Sequence, residues 1–248
     1  MTADVHPVIG IHQPNFFPWL GYFHKVRWSD TFVLLDDVQI PRRSGSVVNR
    51  IGFAQNGREV VFSASLDRSA GRDAPIDTIA FSSTENFRDK LAKLIVHAYG
   101  RARFAPTLKD KILELVRHPS QSLSVYNAHA IRTIATWLEL PARFTKSSEL
   151  ALTTTSTQRL VDIVRALGGR TYLAGAGAKA YQEDLAFFEQ GIHVWYREYV
   201  PPAYPRPDGE PLAGLSVLDA LFHLGIEGTR ALIDVPLDPG KRKLAAPA

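Results

Sequence analysis

Residues 11–50 read IHQPNFFPWLGYFHKVRWSDTFVLLDDVQIPRRSGSVVNR, and their punctuation decides the fold class. Val8–His12 (VIGIH) is short, apolar and β-branched, so it reads as a buried strand. Pro14 and Pro18 interrupt regular structure behind it. From Trp19 to Trp28, Leu20, Phe23 and Val26 recur at helical spacing and predict a short helix. Asp30 then precedes the continuous apolar run Thr31–Leu35, the pattern of a strand covered on both faces. Strand, helix and buried strand make a βαβ unit, hence a parallel sheet with a right-handed crossover.

The expected architecture is therefore α/β and doubly wound. One domain is expected over 1–240, with a helical insert at about 84–140, a small β-hairpin, and a disordered tail at 241–248. Asn56-Gly57 is a hairpin turn signal between IGFAQ and REVVFSASL, and Ile79–Phe81 reads as an added edge. Helices are expected from Phe87, over Pro106–Val116 and over Ser122–Leu138. A strand at 142–147 follows, then a helix over Ser156–Leu167 with Ser156 as its cap. Thr171–Ala174 and Val194–Tyr199 read as strands, with a helix between them opening at the glycine loop and running towards Gln190. A Pro-rich loop at 200–214 and a helix over Leu215–Leu224 close the chain.

Composition narrows the function. The 248 residues carry a net charge of +4, with 45% hydrophobic and 22% charged residues, the balance of a globular protein. The cationic residues are scattered apart from Lys241-Arg242-Lys243, so nothing marks a groove for long nucleic acid. With no cysteine, disulfides, thiolate metal sites and a Cys nucleophile are excluded together. The N-terminus lacks a basic region followed by a long apolar core, and no run approaches a membrane span, so a cytoplasmic location is expected.

Polar residues gathered at strand ends mark the candidate site, because doubly wound sheets bind ligands there. His12 is a candidate general base, with Gln13 and Asn15 beside it and Tyr22, from the following helix, as a further catalytic candidate. Alternation sends Asp36 and Asp37 to opposite faces. Asp36 reads as a turn or cap carboxylate. Asp37 is the candidate catalytic one, with Gln39, Arg42, Asn49 and Arg50 as substrate contacts. Gly175-x-Gly177-x-Lys179 follows a strand and opens towards a helix, the arrangement of an anion cradle. Ser147 lies at another strand end, as a cap or a further ligand contact. The aromatic cluster Phe16, Phe17, Trp19 and Phe23 reads as packing beneath the loop. No metal site and no cofactor is assigned.

The run Gln13-Pro14-x-Phe16-Phe17-Pro18-x-Leu20-Gly21-Tyr22-Phe23, with Asp36-Asp37-Val38-Gln39 and Asn49-Arg50, resembles the WbqC-like protein family. The resemblance continues in Ser147–Leu150, in Tyr172–Tyr181 and in Leu215–Phe222, and so covers nearly the whole chain. Here Val48 stands where members commonly carry an aromatic residue, and Ala174 and Ala176 stand in a loop that is often Ser-Gly-Pro. Family members occur in bacterial gene clusters for O-antigen, other surface polysaccharides and natural products. The opening also resembles that of nucleotidyltransferases, although Trp19-Leu20-Gly21-Tyr22 stands where those enzymes carry two histidines. The resemblance implies a biosynthetic enzyme, with an acyl or aminoacyl transferase acting on a small amine-bearing or anionic substrate as the first expectation. An NTP-using nucleotidyltransferase or ligase and a non-catalytic binding partner are the alternatives.

Overall fold

The computed structural model describes residues 6–40, 47–67, 69, 71, 73–83, 86–175, 183–206, 212, 214–237 and the backbone of 242–243. The opening unit forms as read: β1 (Val8–His12), α1 (Leu20–Arg27) and β2 (Thr31–Leu34). β1 and β2 are parallel, with Ile9 opposite Thr31 and His12 opposite Leu34. Asp30 fixes that register, since its amide donates to the Val8 carbonyl at 2.9 Å and its carboxylate accepts from the Val8 amide at 2.7 Å. All four residues of β2 are buried, as a strand covered on both faces requires.

The remaining strands of the main sheet are β5 (Arg143–Lys146), β6 (Thr171–Gly175), β7 (His193–Arg197) and β8 (Arg242–Lys243). The order across the sheet is β5-β2-β1-β6-β7-β8, with only β8 antiparallel. Two residues of the expected disordered tail thus extend the sheet, because backbone pairing with β7 needs no apolar side chain. β3 (Arg50–Gln55) and β4 (Arg58–Ser63) form the separate hairpin, with Asn56 and Gly57 both at positive φ (51° and 71°) as a tight two-residue turn demands.

The insert comprises α2 (Phe87–Tyr99), α3 (Ala105–Val116) and α4 (Leu123–Trp137). Asn86 caps α2 and Ser122 caps α4 through side-chain oxygens. After β5 come α5 (Ser156–Ala166), α6 (Asp184–Phe188) and α7 (Val217–Ile233). Several boundaries differ from the sequence reading. Ser156 is not the cap of α5: it is the first helical residue, at φ 53°, and Thr155 precedes it without a side-chain cap bond. Ile79–Phe81 makes only isolated bridges. α7 continues past Leu224 because Gly225, at φ 71°, bends it against Phe104 where a Cβ would not fit.

The sheet separates two apolar layers. One holds α1, the insert, the hairpin and α7 against Phe32 and Leu34. The other holds α5 and α6 against Ile9, Ile11, Val33, Tyr172 and Val194. This division follows from topology. The chain steps from β1 to β2 on one side and returns from β5 to β6 on the other, so crossovers of one hand put their helices on opposite faces. Among the described residues, no helix is long and apolar enough to cross a membrane.

Candidate functional site

β1 and β6 are neighbours whose next described helices, α1 and α6, lie on opposite faces, and the crevice of such a sheet opens between them at the carboxyl ends. β1 and β6 pair from Val8 and Thr171 to Gly10 and Leu173, and His12 and Gly175 each follow two residues beyond that last pair, at the same end of the sheet. Gly175 in turn pairs with Arg197. Ile9, Ile11, Ala174 and Tyr196 pack in the α5 layer, so alternation turns His12, residue 175 and Arg197 to the α1 face. At residue 175 an added Cβ would meet no atom of the described residues within 4 Å. Among the described residues, nothing therefore fills the α1 side of residue 175, which lies on the strand between those of His12 and Arg197.

His12 Nδ1 lies 3.1 Å from the Gln13 carbonyl, which can only accept, so Nδ1 carries the proton and Nε2 keeps its lone pair. The ring meets Tyr22 edge-on at 4.9 Å. Burial, with Lys25 and Arg197 adding positive potential, pushes its pKa down to about 4. His12 is therefore neutral at pH 7, a hydrogen-bond acceptor at the mouth of the crevice.

Lys25 and Arg197, which the sequence reading passed over, are buried cations whose charges reach His12. Lys25 is 3% exposed, and its Nζ donates to the Ile11 carbonyl at 2.6 Å. Desolvation, reinforced by Arg197, lowers its pKa to about 7. Arg197 is 6% exposed, donates from Nε to His24 Nδ1 and from Nη1 to the Gly21 carbonyl, and stacks on Tyr199 at 5.0 Å. Its Nη2 is buried with no hydrogen-bond partner among the described residues. His24 donates from Nε2 to the Val235 carbonyl, and burial pushes its pKa down to about 3, so it adds no charge. α1 is buried from Leu20 to Val26, and the absence of a continuous polar stripe in LGYFHKVR was the signal that its charged members were internal.

The other predicted residues fall into three groups. Gln13, Asn15 and Tyr22 stand with His12. The Gln13 side chain donates to the Gln39 carbonyl at 3.0 Å, Tyr22 donates to the Gln13 carbonyl at 3.2 Å, and the buried Asn15 Oδ1 is without a partner among the described residues. Asn49 supports the wall by donating to the Ala64 carbonyl, and Arg50, half-buried, opens β3. The second group faces elsewhere. Asp37 is ion-paired with Arg159 of α5 and accepts from Ser147 Oγ at 2.6 Å, so its carboxylate is engaged on the α5 face rather than towards His12. Ser147 is buried and also accepts from the Asp36 amide. Arg42, Gly177 and Lys179 form the third group, which lies outside the described residues.

Two further residues hold the loops in place. Asn127 of α4 donates to the Pro14 and Val48 carbonyls, each at 2.7 Å, and so ties the segment after β1 to the one before β3. Asp219 of α7, fully buried, accepts from Tyr99 and Tyr204, and Arg206 Nε lies 3.3 Å away. This fastens the Pro-rich segment after β7 over α1. Beneath it lies a cavity of about 180 Å³ lined by Trp19, Leu20, Pro201, Tyr204 and Leu215. Among the described residues no group of three or more His, Asp or Glu side chains is arranged to hold a metal ion.

The sequence model of the WbqC-like protein family matches residues 13–231. A mycobacterial protein described as "Uncharacterized protein Rv1507c", from Mycobacterium tuberculosis (strain ATCC 25618 / H37Rv), is 25% identical over 221 residues. The alignment covers 88% of this chain and 94% of that one. No solved structure matches the chain at a significant level.

Proposed function

Because this chain belongs to the WbqC-like protein family, we propose that it is a cytoplasmic transferase of surface-polysaccharide or natural-product assembly, joining an acyl or aminoacyl group to an amine. The favoured acceptor is an amino sugar linked to a nucleotide. The amine nitrogen attacks the donor carbonyl, His12 Nε2 takes the proton released from nitrogen, and the donor's leaving group departs with the bonding pair. One observation carries this reading: His12 is neutral, with its free lone pair at the carboxyl end of β1, where the neighbouring strand ends in Gly175 and no described atom fills its side-chain position. Gln13 and Asn15 flank the acceptor, and Tyr22 braces the Gln13 carbonyl from the core. Gly177 and Lys179 are proposed as contacts to its anionic part. Asp37 is assigned the holding of Arg159 and Ser147, not proton transfer.

Nucleotidyl transfer is disfavoured, since the equivalent of its paired histidines is Trp19-Leu20-Gly21-Tyr22, with Tyr22 buried in the core. A purely structural partner would have no use for an uncompensated cationic crevice, which costs stability.

The test is direct. Purified protein is incubated with nucleotide-linked amino sugars paired with acyl-CoA or activated amino-acid donors, and products are followed by mass spectrometry. An acceptor gaining the mass of the acyl group is expected, and His12→Asn should lower turnover by about 10²–10⁴-fold with its melting temperature retained. No acylated product from any pair, or full turnover in His12→Asn, contradicts the proposal.

A further inference from the structure

We infer that the α1 face of the crevice, between Gly175, Arg197 and Lys25, is a phosphate-binding subsite. The inference rests on placing the site at the switch point, and it names the group that the substrate brings there.

Three observations carry it. The first is space: residue 175 faces α1, has no side chain, and an added Cβ would meet nothing within 4 Å among the described residues. The second is an unused donor. Arg197, paired in register with Gly175, spends Nε on His24 and Nη1 on the Gly21 carbonyl, while its buried Nη2 has no partner among the described residues. The third is charge. Lys25 and Arg197 are both more than nine-tenths buried and both shift His12, yet neither has a carboxylate among the described residues within ion-pair reach. The carboxylate that acts on this neighbourhood, Asp234, is bonded to Arg27 at 2.5 Å and bears on His24.

Two buried cations without an acid are costly unless an anion joins them. The faces of Tyr199 over Arg197 and Tyr172 near Lys25 offset part of that cost. Lys25 Nζ has two N–H groups beyond the one given to Ile11, and Arg197 keeps its Nη2 edge. That donor set matches a doubly charged phosphate better than a single carboxylate. His12 Nε2, an acceptor, stays free of the anion and open to the proton of the reacting amine.

The test uses binding rather than turnover. Pyrophosphate, sulfate and acetate are titrated into the full-length protein by calorimetry. Pyrophosphate should bind at one site per chain and acetate more weakly. Gly175→Val, which fills the space and leaves every charge in place, should weaken pyrophosphate by about tenfold or more, with the circular dichroism spectrum unchanged; residue 175 is not at positive φ, so its backbone accepts a side chain. Should that variant fail to fold, Gly175→Ala and Lys25→Met serve, each with a smaller loss. Sulfate keeps its charge near neutrality. Its affinity should fall as pH rises through about 7, where Lys25 loses its proton. The groups facing Lys25 do not oppose this: His12 and His24 are already neutral, Arg197, lowered to about 9, is still cationic there, and burial keeps the Tyr22 hydroxyl protonated. Acetate binding as tightly as pyrophosphate, or pyrophosphate binding equally to Gly175→Val and wild type, overturns the inference. Pyrophosphate binding lost in Gly175→Val without any acyl-transfer product overturns the transferase reading and leaves the subsite standing. Acyl transfer with no such loss does the reverse.

Discussion

Two buried polar clusters stand at the same edge of the sheet and balance their charges in opposite ways. Around β2 and β5, Asp36 is fully buried and accepts from Ser124 Oγ at 2.6 Å and the Ser148 amide at 3.2 Å, with Lys146 Nζ at 3.6 Å. Beside it Asp37 pairs with Arg159, whose Nη1 goes to the Leu152 and Thr154 carbonyls. Asp36 and Asp37 each meet a cation there, while Asp77 beside them, its pKa raised by burial and by both carboxylates, is the exception. Around β1, β6 and β7, Lys25 and Arg197 have each other, two neutral histidines and tyrosine faces. A polar network that closes on itself stabilises a fold, whereas one that does not is waiting for something from outside.

The largest expected effect lies in the closed cluster. Asp37→Ala leaves Arg159 buried without its partner and should cost about 3–5 kcal/mol in urea denaturation. A loss under about 1 kcal/mol would erase the contrast and return Asp37 to the candidates for proton transfer.

In the open cluster the sign reverses. Lys25→Met removes a charge that folding desolvates, so it should be neutral or stabilising by up to about 4 kcal/mol. The pH dependence follows from linkage. The Lys25 pKa is about 7 when folded against 10.5 unfolded, so between those values the unfolded state binds more protons and wild-type stability rises with pH. The advantage of Met is fullest below about pH 7 and fades towards pH 10.5. Chemical denaturation across that range checks it, and an advantage that grows with pH contradicts it.

The sequence reading reached the frame of this arrangement and missed its centre. Thr31–Leu35 announced a doubly covered strand, Asn56-Gly57 a hairpin, and period-two alternation the parting of Asp36 from Asp37. His12, Gln13 and Tyr22 were legible because they share one short stretch. Lys25 and Arg197 lie 172 residues apart, and only the order of β1, β6 and β7 brings them to one face. Neither residue type looks internal in a linear sequence, since lysine and arginine are almost always exposed. Asp37 shows the converse, a strand-end carboxylate whose ion pair the linear sequence hides. A carboxylate at a strand end looks catalytic until Arg159, on a helix far along the chain, is found against it.

The ionisation of Lys25 tests the account most directly. With lysine side chains isotopically labelled, the Lys25 amine is followed by NMR against pH, free and with pyrophosphate. The account predicts a midpoint near 7 in the free protein, moving upward when the anion is bound because the bound charge favours the ammonium form. A midpoint close to the ordinary 10.5, or one that pyrophosphate leaves in place, would contradict the claim that an uncompensated cationic crevice marks the site.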